Sequence, residues 1–160
     1  MDTTSQPSER LELLLLTHGN TLYRAAAAIL GDVYEAQDAV QDTFLAWLEK
    51  QPDCPDGAHE RAWLLRVTVN NCKSRLRSPW RRKTGALTES LTTEGPEESA
   101  LMEAIQTLPA KDRIVLHLHY YEGYQTGEIA QMLGWREGTV RSRLSRARKR
   151  LKTLLTDQID

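Results

Sequence analysis

No part of this sequence is apolar for long enough to cross a bilayer. The longest apolar runs, Leu13–Leu16 and Ala25–Leu30, fall far short of the roughly 20 residues that a spanning helix needs. The N-terminal MDTTSQPSER is polar and acidic; it lacks the basic head and apolar stretch of a secretory signal, so a cytoplasmic address without membrane insertion is expected. Cysteine is scarce. Cys54 and Cys72 cannot build a disulfide framework or a zinc set, and their scarcity fits a reducing compartment. Alternating strand patterns and Asn-Gly hairpin signals are missing, which argues against a sheet. Also missing are a nucleophile–base–acid set, a phosphate-cradling loop and a metal-carboxylate motif, so neither catalysis nor a cofactor is expected. His117 and His119 are two positions apart; on a helix they point about 200° from each other and cannot share an ion. Asp38 and Asp42 resemble a metal pair, but no further ligands accompany them, so no metal is expected.

Charge is present in quantity, and it is unevenly distributed. The formal net charge is -1, yet residues 1–60 carry eleven acids against three bases, and residues 66–83 carry seven bases and no acid. Residues 84–135 are acidic again, and residues 136–152 hold eight bases against Glu137 alone. A chain that meets one basic partner and one polyanion has this alternation.

The periodicity is helical nearly throughout, which predicts an all-α fold. Helices are expected over Leu11–Leu30 (with Gly19–Asn20 as a place to break), Tyr34–Lys50 and Arg61–Arg77. Gly31–Asp32 is a stop and restart, and Gln51–Gly57 is a loop by its prolines and glycine. The polar stretch from Ser78 to Pro96 reads as a flexible linker. Further helices are expected over Glu97–Thr107, Ala110–Tyr121, Thr126–Leu133 and from Glu137 to about Leu155. The organisation is therefore two small helical domains, residues 1–78 and 97–160, on a tether of residues 79–96.

Thr126–Leu151 has the form of a helix-turn-helix. Ile129, Ala130 and Leu133 face a core, Gly134 supplies the turn, and Glu137 suits the start of a second helix. Rolled out at 100° per residue, that second helix puts Val140, Leu144, Ala147 and Leu151 on one stripe. The opposite side shows Gly138, Ser142, Ser145, Arg146 and Lys149. Arg141 and Arg148 flank one edge; Thr139, Arg143 and Arg150 flank the other. Small residues admit close approach to base edges, and guanidinium forks grip guanine or phosphate.

LPAKDRIVLHLHYYEGYQTGEIAQMLGWREGTVRSRLSRARKRL resembles region 4 of bacterial sigma factors, above all the short extracytoplasmic-function group. The resemblance implies docking on the polymerase flap and reading of the minus-35 promoter element by Gly138, Thr139, Arg141, Ser142, Arg143, Ser145, Arg146 and Lys149. Three departures stand out: Gly127 where glutamate or alanine is commoner, Gln125 in place of a Ser or Thr cap, and Trp135-Arg136 before the second helix.

The N-terminal half has its own pattern. In GDVYEAQDAVQDTFLAWLEK, Ala36, Val40, Phe44 and Trp47/Leu48 form an apolar stripe beside an acidic ridge of Glu35, Asp38, Asp42 and Glu49. By spacing alone, the ridge is equally an ordinary solvated face. The segment also resembles sigma region 2, whose helix grips the largest polymerase subunit; this implies Asp38, Gln41, Asp42 and Phe44 as polymerase contacts. Gln37 replaces a glutamate common in the family. RAWLLRVTVNNCKSRLRS resembles the segment that opens and holds the minus-10 element, implying Trp63, Arg66, Asn70, Lys73 and Arg75, with the loop before it receiving a flipped base. A basic helix with an aromatic and amides suits a separated strand, although Trp63 fits a core position equally well.

The whole is read as a transcription initiation factor that binds core RNA polymerase and directs it to promoter DNA, with an anti-sigma factor as the family's expected inhibitor. Two other readings use the same residues. An independent helix-turn-helix regulator would bind duplex alone and leaves the EAQDAVQDTF helix unexplained. An interaction adaptor would have a solvated basic tail.

Overall fold

In the computed structural model, residues 7–78 and 96–159 are described, and the described residues are helical apart from short connections. The chain divides into two compact units, residues 1–87 and 88–160. Of the tether expected at 79–96, all but Pro96 lies outside the described residues.

In the first unit, α1 (Pro7–Leu30), α2 (Val33–Lys50) and α3 (Gly57–Leu76) pack on one another. The stop and restart fall where expected. Gly31 takes φ +70°, a left-handed conformation that glycine adopts without steric cost. The Asp32 carboxylate then accepts from the backbone N–H groups of Tyr34 (2.8 Å) and Glu35 (3.1 Å), satisfying two of the unpaired donors at the start of α2. The break allowed at Gly19–Asn20 does not occur. An interior glycine costs about 1 kcal/mol relative to alanine, but Leu14, His18 and Leu22 are buried on either side of it and hold the helix continuous. The third helix starts at Gly57, earlier than the Arg61 expected. Asp56 caps it through the His59 amide at 2.9 Å. His18 of α1 donates to Glu60 in its first turn at 2.9 Å.

The core of this unit is Leu22, Ile29, Trp47, Leu64, Leu65 and Val69, with Ala25, Ala26, Ala36 and Ala39 allowing the helices to approach closely. One polar seam crosses it. Thr43 donates to the Ala39 carbonyl at 2.8 Å and shares its hydroxyl with Thr68 at 2.9 Å, and the Asn71 amide donates to Thr43 at 3.2 Å. Each buried polar atom in the seam is therefore paired, as burial demands, and the seam fixes the rotation of α3 against α2.

The second unit contains α4 (Pro96–Gln106), α5 (Ala110–Leu116), α6 (Thr126–Leu133) and α7 (Glu137–Ile159) around Leu108, Ile114, Leu118, Ile129, Val140 and Leu144. The helix expected over Ala110–Tyr121 changes character midway: His117–Tyr121 is a π-helical turn. His117 donates to Glu122 at 2.7 Å, with both side chains nearly fully buried, and His119 donates to the Tyr124 carbonyl at 2.7 Å. The two histidines serve different partners.

Candidate functional site

Of the acidic ridge of α2, Asp38, Asp42 and Glu49 are exposed, whereas Glu35 is half-buried. Asp38 and Asp42 are one helical turn apart, with side chains 62% and 51% accessible, and Glu49 continues the line. The helix is held from the other side by Ala36, Ala39, Thr43, Phe44 and Trp47. Toward α1 the ridge gives way to an apolar groove of about 490 Å³ lined by Leu11, Leu15, Gln37, Gln41, Leu45 and Leu48, among others. Leu45 is 57% exposed along this groove. Phe44 also lines it, but only 4% of its surface is accessible, so it forms part of the groove wall and does not project. Gln37 stands exposed at the groove's edge, and nothing in the structure explains an uncharged residue there.

On α3, Arg66 and Asn70 are exposed, and Trp63 and Lys73 are half-buried. At 100° per residue these four share one face. Arg75 does not. It lies about 180° around the helix from Arg66 and turns to α2, where its guanidinium donates to Asp42 at 2.8 Å and stands 3.9 Å from Asp38. A residue expected at the promoter strand is thus joined to two expected at the polymerase.

The loop before α3 is organised by Asp56. The hydrogen bond from the His59 backbone, seconded by the His59 ring at 2.7 Å, holds its carboxyl below the usual range. Burial, together with the Glu60 and Asp53 carboxylates, pushes the Cys54 thiol up, so it remains protonated at neutral pH.

In the second unit, Gly134 at φ +71° makes the turn between α6 and α7. Gln125, not Thr126, is the N-cap of α6, in a reciprocal capping box in which its side chain accepts from the Glu128 backbone N–H. Glu128 reaches back to the Gln125 amide at 2.8 Å, while the Thr126 hydroxyl crosses to Glu137 on α7 at 2.9 Å. Glu137 also pairs with Arg141 at 3.2 Å. This bears on the absence of glutamate at position 127. A Cβ there would stand 3.7 Å from the Glu137 carboxylate, so alanine fits, whereas glutamate would set a like charge against the group that ties the two helices.

The face of α7 carrying Gly138, Thr139, Ser142, Arg146 and Lys149 is exposed, and Ser145 is half-buried beside it. Arg146 and Lys149 make no ion pair among the described residues. Arg143 differs: it donates to Asp112 of α5 at 2.8 Å, with the acid only 12% accessible. Arg148, at the other edge, donates to the Tyr120 hydroxyl. The two arginines flanking the core stripe therefore anchor the helix, and the central face stays exposed. Asp112→Ala is expected to lower the stability of this unit by about 2 kcal/mol, since it strands a partly buried cation. Thermal unfolding would show it; a change of a few tenths of a kcal/mol would mean the pair is ornamental. Sequence reasoning missed the groove along α1 and the anchoring of Arg143. It gave Arg136 only as a departure; the residue is exposed and its carbonyl accepts the first amides of α7, from Thr139 and Val140.

Comparison with known proteins agrees with this layout. Residues 14–82 match the family described as sigma-70 region 2, and residues 98–151 match sigma-70, region 4. The chain is similar to the ECF RNA polymerase sigma factor SigL of Mycobacterium tuberculosis, at 34% identity over 151 residues, covering 88% of this chain and 85% of that protein. SigM of the same species is 33% identical over 147 residues, covering 89% and 75%. Among solved structures, the sigma factor RpoE in complex with the anti-sigma factor NepR from Bartonella quintana superposes with a TM-score of 0.76 at 27% identity, covering 92% of this chain and 98% of that one. CnrH in complex with the cytosolic domain of CnrY gives 0.64 at 27% identity, covering 94% and 90%.

Proposed function

The chain belongs to the extracytoplasmic-function branch of the sigma-70 family, transcription initiation factors that direct RNA polymerase to promoters, and we propose how its two units divide that work. Residues 1–78 bind core polymerase through Asp38, Gln41 and Asp42, with Phe44 acting as groove wall. Trp63, Arg66, Asn70 and Lys73 hold the opened minus-10 strand. Residues 97–160 read the minus-35 element with Gly138, Thr139, Ser142, Ser145, Arg146 and Lys149, and Arg136 adds a cation at the N-terminal end of α7. Arg141, engaged with Glu137, reaches phosphate from the edge of the helix. Arg143 acts from behind this face as an anchor.

The observation that carries this division is the separation of charge onto opposite kinds of surface. An exposed acidic ridge beside an apolar groove suits a basic, partly apolar protein partner. An exposed helix face of serines, glycine and arginine suits a major groove. The acidic blocks also keep the free protein from binding every duplex through its basic ones. The protein contributes recognition, and the chemistry of RNA synthesis belongs to the polymerase. An anti-sigma factor is the proposed inhibitor, supported by the neighbour solved with such a partner, NepR. No helix among the described residues is long and apolar enough to cross a membrane; a cytoplasmic place is the proposal, supported by the work of the family on RNA polymerase.

The test is transcription by purified core polymerase on templates that the reconstituted holoenzyme selects from a random library. Transcripts are expected only with the protein present, and replacing either selected element should cut them at least about tenfold, since each mismatched base pair costs about 1–3 kcal/mol. Binding of duplex by the protein alone, with no gain in transcription, would favour an independent regulator.

A further inference from the structure

Arg75 is separated from Arg66 and Lys73 by about half a turn of helix, and its guanidinium contacts carboxylates. Its Nη2 donates to Asp42 Oδ2 at 2.8 Å and its Nη1 stands 3.9 Å from Asp38 Oδ2. One guanidinium from a neighbouring helix thus spans two like charges four residues apart on α2. Like charges at that spacing repel, and a short exposed carboxylate has several rotamers to occupy. A planar fork placed between the two offsets the repulsion and restricts both side chains. The cover is asymmetric: the Arg75 side chain is 28% accessible, while both carboxylates are more than half accessible. The cation is therefore backed by protein and the acids face outward. A carboxylate accepts at both oxygens, so contacts at Oδ2 leave each Oδ1 to an incoming donor. Beyond the ridge lies the groove formed by Leu11, Leu15, Leu45 and Leu48, so the fork, the acids and the apolar wall lie in sequence across one surface.

We propose that Arg75 is a positioning residue of the polymerase-docking surface, setting the Asp38 and Asp42 carboxylates for a basic partner, and that it is not a promoter contact. The proposal rests on the reading of α2 given above. Its signature is dependence: Arg75 acts on polymerase binding only through the two acids, because a residue that works by orienting others has no effect once they are gone.

The experiment titrates labelled full-length protein with core polymerase. Arg75→Gln is expected to weaken binding about fivefold, the upper range for a partly exposed ion pair. In the Asp38→Asn/Asp42→Asn background the same change is expected to have no further effect. Arg75→Lys restores the charge without the fork and is expected to fall between the two. Thermal unfolding of each variant accounts for any loss of fold. At saturating polymerase, binding of a minus-10 single strand and its salt slope are expected to be unchanged. Tighter polymerase binding by Arg75→Gln would make Arg75 a competitor of the partner and overturn the proposal. An equal loss in the double-Asn background would overturn it too, as would a salt slope for the strand reduced by about 0.7; both leave the reading of α2 intact. Wild-type affinity in the double-Asn protein itself would overturn that reading, and this proposal with it.

Discussion

Reversing both ridge carboxylates, Asp38→Arg with Asp42→Arg, is expected to abolish comigration with bacterial core RNA polymerase on a sizing column, a loss of about 100-fold or more in affinity. The size follows from what an interface does to charge. Truncating one partner of a desolvated, hydrogen-bonded charge pair costs about 2–5 kcal/mol, and like charges facing each other cost several more. Together the two terms exceed the roughly 2.8 kcal/mol that corresponds to a hundredfold change. In the free protein the same substitutions are mild. Both side chains are more than half accessible, and α2 is held by its buried face, with Trp47 and Ala36 at the core. Circular dichroism should therefore show unchanged helix content. Three arginines would meet where Arg75 now pairs with two acids; in a solvated setting this costs little and moves the side chains apart. Coelution of the double variant at the wild-type position would remove the ridge from the polymerase interface. It would leave the groove as the contact to test next.

The extent of what could be read in the sequence follows from the range of each physical effect. Helix identity was legible because periodicity is local, and the stop at Gly31–Asp32 was legible because a left-handed glycine followed by a capping aspartate is itself a local device. The early start of α3 was also written locally, in Asp56-Gly57-Ala58-His59, where aspartate precedes a helical stretch and caps it. It was passed over because the two prolines and glycine dominate that loop. Gly19 shows the opposite failure: a local signal for a break lost to burial supplied by α2 and α3. The basic residues are the instructive case. Helical phase correctly put Arg146 and Lys149 on the open side of α7, and Arg143 at its edge. Whether an edge arginine reaches outward or back is decided by what stands across from it. Asp112 is 31 positions away, and Asp42 is 33 positions from Arg75. Nothing in the spacing of either basic run encodes those partners, so two arginines counted toward DNA were already committed within the fold.

That distinction sets the expectation for Arg146. Arg146→Ala is expected to weaken use of the native minus-35 element by about 1–3 kcal/mol, the discrimination carried by a bidentate arginine–guanine pair, while core polymerase still comigrates with the variant. Arg146 is exposed on the central face of α7, and its contact within the described residues is a long bond from Nε to the Ser142 carbonyl at 3.4 Å. Ser142 and Gly138, toward the start of the helix, have side chains too small to obstruct approach to the groove. Arg143→Ala is the contrast: it should cost stability of the second unit more than sequence discrimination, because its guanidinium is held by Asp112. Two measurements separate what Arg146 touches. If it reads a base, the loss is confined to templates carrying the preferred minus-35 sequence, and mismatched templates are barely affected. If it neutralises a phosphate, the loss is uniform across sequences and the slope of log affinity against log salt falls by about 0.9. Equal loss of polymerase binding and promoter use would contradict the division between the two units, because the residue lies on a surface assigned to DNA alone.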